Sequence, residues 1–355
     1  MQLSTEILYE IDNSEWNSFI SKNPASTAHQ KAGIYKPLEL AFNSKQAYIL
    51  VKNSKGNVVG QLTVVINFED MSTESNIFSK LIYGPMLTWN HGPIIHDYSI
   101  KDKIVCEILQ AIEKLSNENK VAIIKGRSLP LSEPIPNNIF EKFGYSCEPW
   151  LAYIANIDKS VDEFFLSLHN KIRYDIRKGE KNDLQFELVN SINSLNEYNN
   201  FNFSNDKNKD KIINRFQTFN ELRFNFLIKS GDEQIFLARL DNEIVGGMGN
   251  YSFNNNVVQH TVTNSSNKKL NAGSFLTWNA IKWSIENKFL TYDMGGANPN
   301  PVSEKERGIK HYKSKWNGQE ITYTLYTKIV NKTKWKISKG LKQPSKFSKK
   351  LFGKN

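Results

Sequence analysis

Residues 234–316 read QIFLARLDNEIVGGMGNYSFNNNVVQHTVTNSSNKKLNAGSFLTWNAIKWSIENKFLTYDMGGANPNPVSEKERGIKHYKSKW. Residues 234–240 are apolar and end at Asp241-Asn242, a two-residue turn signal, so 243–253 return as the second strand of a hairpin. Three glycines, Gly246, Gly247 and Gly249, interrupt that second strand. Glycine inside a strand marks a bulge or a close approach by another group. Residues 256–263 form a third strand. Asn271 is placed to cap a helix running to about 287. On it Trp278, Ile281 and Ile285 share one face and Leu276, Ala280 and Trp283 the adjoining one, so most of the helix is buried. Residues 290–294 form a fourth strand that ends at a Gly295-Gly296 loop. Hairpin, strand, helix, strand sets a helix N-terminus beside a strand end, where unpaired N–H groups and the helix dipole suit an anion. An ordinary α/β core with a glycine-rich turn fits the same pattern.

The first half carries a similar unit. Residues 46–52 (QAYILVK) and 57–68 (NVVGQLTVVINF) make a hairpin across 53–57. In both hairpins a Gln opens the first strand (Gln46, Gln234), and a Val-Gly pair (Val59-Gly60, Val245-Gly246) sits early in the second. Each hairpin is followed by a strand (81–83 in the first half), a long helix (100–115) and a buried strand (121–124). Two copies of one α/β unit follow from this correspondence. Units at 1–150 and 151–330 are expected, with a basic, flexible tail at 331–355 in which Gly340 and Pro344 break any continuous helix.

A chain of 355 residues has room for two cores, and 39% apolar with 12% aromatic residues exclude a disordered chain. There is no apolar run long enough to span a bilayer and no secretory leader at the start, so the expected location is the cytoplasm. Cys106 and Cys147 give no disulfide framework. The net charge of +10 is concentrated in the tail, which carries nine lysines and no acid and leaves 37 basic against 36 acidic side chains over residues 1–330. Trp335, Ile337, Leu341, Phe347, Leu351 and Phe352 are interleaved with those lysines. Such a segment suits an anionic membrane surface, nucleic-acid phosphates, or simply solvent.

Along the rest of the chain, 14–20 read as a short helix capped by Asn13 or Ser14, and 149–157 as a strand. Residues 161–168 and 169–182 read as helices, the second carrying Arg173 and Arg177 at i,i+4. Residues 184–189 are a strand, 195–228 are helical around a polar break, and 319–329 are a closing strand. His91, His96 and Asp97 have no metal-ligand spacing with any other cluster, so no metal is expected. No Ser-His-Asp or Cys-His order marks a covalent nucleophile. His260, in mid-strand, reads as a hydrogen-bonded core histidine.

Two stretches, HNKIRYDIRKGEKNDLQFE (169–187) and TYDMGGANPN…GIKHYKSKWNG (291–318), are similar to the basic helix and to the Asp, Gly-Gly, aromatic-Lys signature of a known family. AHQKAGIYKP (28–37) loosely resembles its early acceptor-binding segment. Over roughly residues 15–330 the chain resembles the Fem-type (FemA/FemB-like) aminoacyltransferases, whose members carry two domains of the GCN5-related N-acetyltransferase (GNAT) fold. The resemblance implies an α/β (α+β) chain of two GNAT-like domains in tandem, each a mixed twisted sheet flanked by helices. It also implies transfer of an aminoacyl or acyl group to an amine of a cell-envelope precursor, peptidoglycan or surface glycan. It implies no resident cofactor, with aminoacyl-tRNA or acyl-CoA as co-substrate. Two departures stand out. Residues 195–228 are too short for the family's coiled-coil arm. Residues 268–274 (KKLNAGS) lack the Gly-x-Gly/Ala of an acetyl-CoA signature. Acyl-CoA-dependent acetylation of an amino sugar, and non-catalytic binding of envelope glycan or RNA, are the alternatives.

Amide formation needs charge stabilisation on an oxyanion. The resemblance places that role on Lys313, with Asp293 near the same cleft and a loop leading into Lys313. Arg173 and Arg177, as paired guanidinium forks, suit an acceptor diphosphate together with Lys36. Asn271, Gly273 and Ser274 offer N–H groups to the donor. No residue stands out as the general base. The expected partners are the envelope precursor, charged tRNA and, through 331–355, the inner face of the membrane.

Overall fold

A computed structural model describes residues 2–68, 84–203, 209–264 and 267–341. The first half opens with β1 (Leu3–Leu8), α1 (Asn13–Ile20), α2 (Lys36–Ala41), β2 (Ser44–Asn53) and β3 (Val58–Asn67). These are followed by β4 (Met86–Thr88), β5 (Ile94–Ile95), α3 (Lys101–Glu118), β6 (Ile123–Arg127), α4 (Asn137–Lys142) and β7 (Ser146–Asn156). Helix α3 forms because Ile104, Ile108, Leu115 and their neighbours recur at helical spacing; all are buried on the sheet. Each such side chain contributes about 1.5–3 kcal/mol by leaving water.

The second half comprises α5 (Val161–Ser167), α6 (Asn170–Lys181), β8 (Gln185–Leu188), α7 (Ile192–Phe203), α8 (Lys209–Arg223), β9 (Glu233–Leu240), β10 (Glu243–Phe253) and β11 (Asn256–Asn264). It ends with α9 (Ala272–Glu286), β12 (Thr291–Ala297), α10 (Glu304–Lys313), β13 (Gln319–Ile329) and α11 (Lys332–Leu341). Phe224–Ile228 continues α8 as a π turn. The Trp278, Ile281 and Ile285 face of α9 and the Leu276 and Ala280 face are both buried, as their spacing predicts.

The two halves share one topology. β2–β3–β4 and β9–β10–β11 are antiparallel, and β4–β6 and β11–β12 are the parallel pairs that a crossover helix requires. The Val-Gly repeat has a structural cause. Ladder register skips Val59 opposite Val51/Lys52 and skips Val245 between Ile244 and Gly246, so each valine is the extra residue of a bulge. The glycine after it lies under the crossover helix. A Cβ on Gly60 would stand 2.3 Å from Ile104 Cγ2, and one on Gly246 would stand 2.9 Å from Leu276 Cδ1. Gly247 and Gly249 are crossed just as closely, by Tyr198 and His260.

The strands make one mixed sheet in the order β1-β2-β3-β4-β6-β13-β7-β12-β11-β10-β9-β8, with β5 beside β3. Each half is completed by a strand that belongs to the other in sequence. β13, at the end of the second half, pairs with β6, and β7, at the end of the first, pairs with β12. β7 and β13 then pair with each other along nine residues, Ser146–Ile154 with Gln319–Thr327. Residue 150, where the expected division falls, is therefore inside a strand. Two large cores lie on the sheet, one packed around α3 and one around α9.

Several local expectations are corrected. Asp12, not Asn13 or Ser14, caps α1, accepting the Glu15 N–H at 2.8 Å. Asn271 holds the cap position of α9 but adopts a left-handed conformation and makes no side-chain cap. Gly295-Gly296 lies within β12 rather than in a loop after it. The stretch before Lys313 is helix α10, started by a Ser303–Glu306 capping box. Residues 332–341, expected to be flexible, form α11, because Gly340 falls in its last turn where breaking costs little. The strand expected at 81–83 and the tail beyond 341 lie outside the described residues.

Candidate active site

β11 and β12 pair only from Asn256–Val258 to Thr291–Asp293 and then diverge. Beyond that point β11 stays with β10, while Gly296 and Ala297 of β12 follow β7. The bulge between Asp293 and Gly296, with Gly295 at φ +75°, makes the turn away. The divergence opens a cavity of about 860 Å³. The N-terminus of α9 and helix α10 form one wall, and Arg127, Ala152 and Tyr323 on β6, β7 and β13 line another. The exchanged strands thus carry residues of both halves to one site. In the first half the equivalent opening is shut: Trp89 continues the β6 ladder through Lys125 and Arg127, and its indole covers Gly126, whose Cβ position is 2.0 Å away.

Five of the residues expected from sequence line this cavity: Lys313, Asp293, Asn271, Gly273 and Ser274. Lys313 ends α10, which Trp316, fully buried, and Tyr312 anchor to the core. Lys313 Nζ donates to the Gly296 carbonyl at 2.9 Å and lies 3.6 Å from the Cβ position of Gly295. Burial holds its ammonium down, to about 8, with Asp293 opposing the shift. Asp293 is 5% exposed, and burial raises its carboxyl to about 6 despite the Gly295 N–H that it accepts at 2.7 Å and the charge of Lys313. At neutral pH Lys313 is therefore an ammonium and Asp293 a carboxylate.

Lys36, Arg173 and Arg177 do not line the cavity. Lys36 pairs with Glu39 at 2.7 Å on α2. On α6, Arg173 donates to Asn170 and Arg177 sits over the Phe165 ring at 5.4 Å.

Sequence reasoning did not single out His29, Arg127 or Tyr323, and assigned His91 and His260 no site. The structure gathers His29, His91 and His260 on the wall between the two halves. His29 stands in the 28–37 stretch quoted for its acceptor-segment resemblance, which is the one signal that pointed here. Its ring meets His91 at 4.8 Å and Tyr251 at 5.4 Å, and Tyr251 stacks on His260 at 4.1 Å. Burial keeps His29 well below the usual imidazole range and, helped by Arg127, lowers His91 to about 3. Both rings are neutral above that range. Among the described residues no group of three or more His, Cys, Asp or Glu side chains is arranged to hold a metal ion.

A family model described as an acetyltransferase (GNAT) domain matches residues 167–314. No curated protein matches the sequence. Among solved structures, FemX aligns over 94% of this chain and 99% of its own, at 14% identity and a TM-score of 0.65. A tandem GNAT protein from the clavulanic acid biosynthesis pathway aligns over 92% and 98%, at 9% identity and 0.54. L-PGS from Bacillus licheniformis aligns over 92% and 96%, at 11% identity and 0.52. The likeness establishes a tandem GNAT fold, and the matched domain is that of an acyltransferase. It contains β11, β12, the start of α9 and Lys313, which form one side of the cavity.

Proposed function

We propose that this chain, a Fem-like protein of the GNAT fold, transfers an aminoacyl or acyl group to an amine of a cell-envelope precursor. The observation that carries the reading is the cluster of Lys313, Asp293 and the Gly295-Gly296 bulge at the mouth of the β11/β12 divergence. A thioester or ester carbonyl bound there meets an ammonium that is already desolvated. In a water-poor cavity that charge stabilises the oxyanion of the tetrahedral adduct more than bulk water does. Asp293 holds Gly295 in place and supports the charge on Lys313. The open N–H groups of Ala272, Gly273 and Ser274 face the donor from the other side. The acceptor enters from the wall between the halves, past His29 and Arg127.

Envelope precursors fit because FemX aligns over almost the whole chain, and because the cavity's polar wall of imidazoles and one guanidinium suits a glycan- or peptide-linked amine. The test supplies acetyl-CoA and charged tRNA in turn with a UDP-linked muramyl peptide or an amino sugar, and reads the added mass by mass spectrometry. A mass increment on the acceptor, abolished by Lys313→Ala, supports the reading. No increment with any donor removes it, and acetylation of the amino sugar alone redirects it to acyl-CoA chemistry. Membrane association through α11 and the lysines after it is part of the same proposal. Deleting residues 331–355 should lower binding to anionic vesicles, and unchanged binding would refute the anchoring role.

A further inference from the structure

The third histidine of the cavity differs from the other two in having a buried carboxylate behind it. Glu233, on β9, is 1% exposed, and Arg223 at the end of α8 grips both of its oxygens, Nε at 2.7 Å and Nη2 at 2.5 Å. Arg223 is itself 8% exposed. Burial alone would push the Glu233 carboxyl up, but the guanidinium outweighs it and holds the group at about 2, so it is ionised throughout the working range. Two strands across the sheet, His260 places Nε2 at 2.7 Å from Glu233 Oε1, within reach of the carboxylate but off the line of a hydrogen bond. That nitrogen is fully buried, yet the side chain keeps 18% of its surface and lines the cavity. The exposed edge of the ring is therefore the one away from Glu233. Tyr251 on β10 stacks over the ring, and His29 approaches from the first half.

A fixed carboxylate beside Nε2 stabilises a proton on that nitrogen and leaves Nδ1 as the basic one. Among the described residues no carboxylate pairs with His29 or His91: His29 Nδ1 lies 3.5 Å from the Tyr35 hydroxyl, and His91 Nδ1 lies 3.1 Å from the Thr27 hydroxyl. A buried carboxylate orienting an imidazole, with the far nitrogen toward a cavity, is the arrangement of an oriented general base.

We infer that His260 is the base that accepts the proton of the attacking amine, held in the required tautomer by Glu233 and Arg223 as positioning residues. This rests on the transfer reading given above. As the amine lone pair forms the N–C bond, the carbonyl π pair moves to oxygen beside Lys313 and the nitrogen's proton passes to His260 Nδ1. Collapse of the adduct breaks the bond to the donor's sulfur or oxygen, and that leaving group takes the proton from the imidazolium. One proton thus moves from nucleophile to leaving group and the site is restored.

The experiment uses the full chain with the donor and acceptor that give product. His260→Ala should lower kcat by about 10²-fold or more while KM for the donor stays within about threefold. Added imidazole should restore part of the rate in His260→Ala, which a structural role would not allow, and His260→Gln should stay inactive while melting like the parent. Wild-type kcat in His260→Gln would overturn the assignment. Independently of turnover, ¹⁵N spectra of histidine-labelled protein should show the His260 proton on Nε2, with that preference lost in Glu233→Gln. A proton fixed on Nδ1 would overturn the proposal as well. Absence of product from the wild type with every donor is instead the failure of the transfer reading, and is seen before any variant is made.

Discussion

Replacing Asp293 by Asn should make the protein more stable near neutrality and less active. Asp293 is almost fully buried, and its carboxyl titrates at about 6 in the folded chain against 3.8 ordinarily. The folded state binds the extra proton, so this group's contribution to stability is full below about 3.8 and is lost as pH rises through about 6. A shift of this size corresponds to about 3 kcal/mol by pH 7. Asn keeps the shape and can still accept the Gly295 N–H, without the buried charge. The attraction of Lys313 is already contained in that shift, which it opposes, so it gives no separate offset. The net expectation is a variant more stable by roughly 3 kcal/mol at pH 7 and within about 0.5 kcal/mol of the parent near pH 4. Urea unfolding at pH 4, 5, 6 and 7 reads this directly. Turnover should fall in the same variant, because the loss of Asp293 weakens the charge on Lys313. A difference that does not change with pH, or an Asn variant less stable at pH 7, would refute the reasoning.

Three further predictions follow from the same geometry. Lys313 is an ammonium only below about 8, so transfer should decline as pH rises through that value, and Lys313→Arg should move the decline to higher pH, checked by pH–rate profiles on both proteins. Gly60→Ala drives a methyl to 2.3 Å from the Ile104 branch, whereas Gly246→Ala meets the more pliant Leu276 tip at 2.9 Å; the first should cost about 1–3 kcal/mol and the second less, measured by thermal melts. Residues 1–157 expressed alone should fail to give a cooperative melt, because β6 then lacks β13 and presents an open edge, and a sharp transition would show that the exchanged strand is dispensable.

Local pattern carried the repeated unit. Val59-Gly60 and Val245-Gly246 record a bulge and a helix crossing at fixed offsets within a hairpin, interactions closed over a short stretch of chain. The same holds for the buried faces of α9 and for Lys313, Asp293 and the helix opening, which cluster because one β-α-β crossover holds most of them. Helix α10, where a loop leading into Lys313 was expected, was also legible, since Ser303 and Glu306 spell a capping box. What the tertiary structure alone decided is the exchange of β7 and β13. Strand pairing depends on backbone groups that every residue owns, so nothing local says that 319–329 will lie between β6 and β7. That exchange carries Arg127 and Tyr323 to the cavity, and the packing of the halves brings His29 and His91 there. The pairing of His260 with Glu233 is of the same kind: a histidine in mid-strand reads as core until the neighbour two strands away supplies a buried carboxylate and the diverging strand beside it opens an edge of the ring.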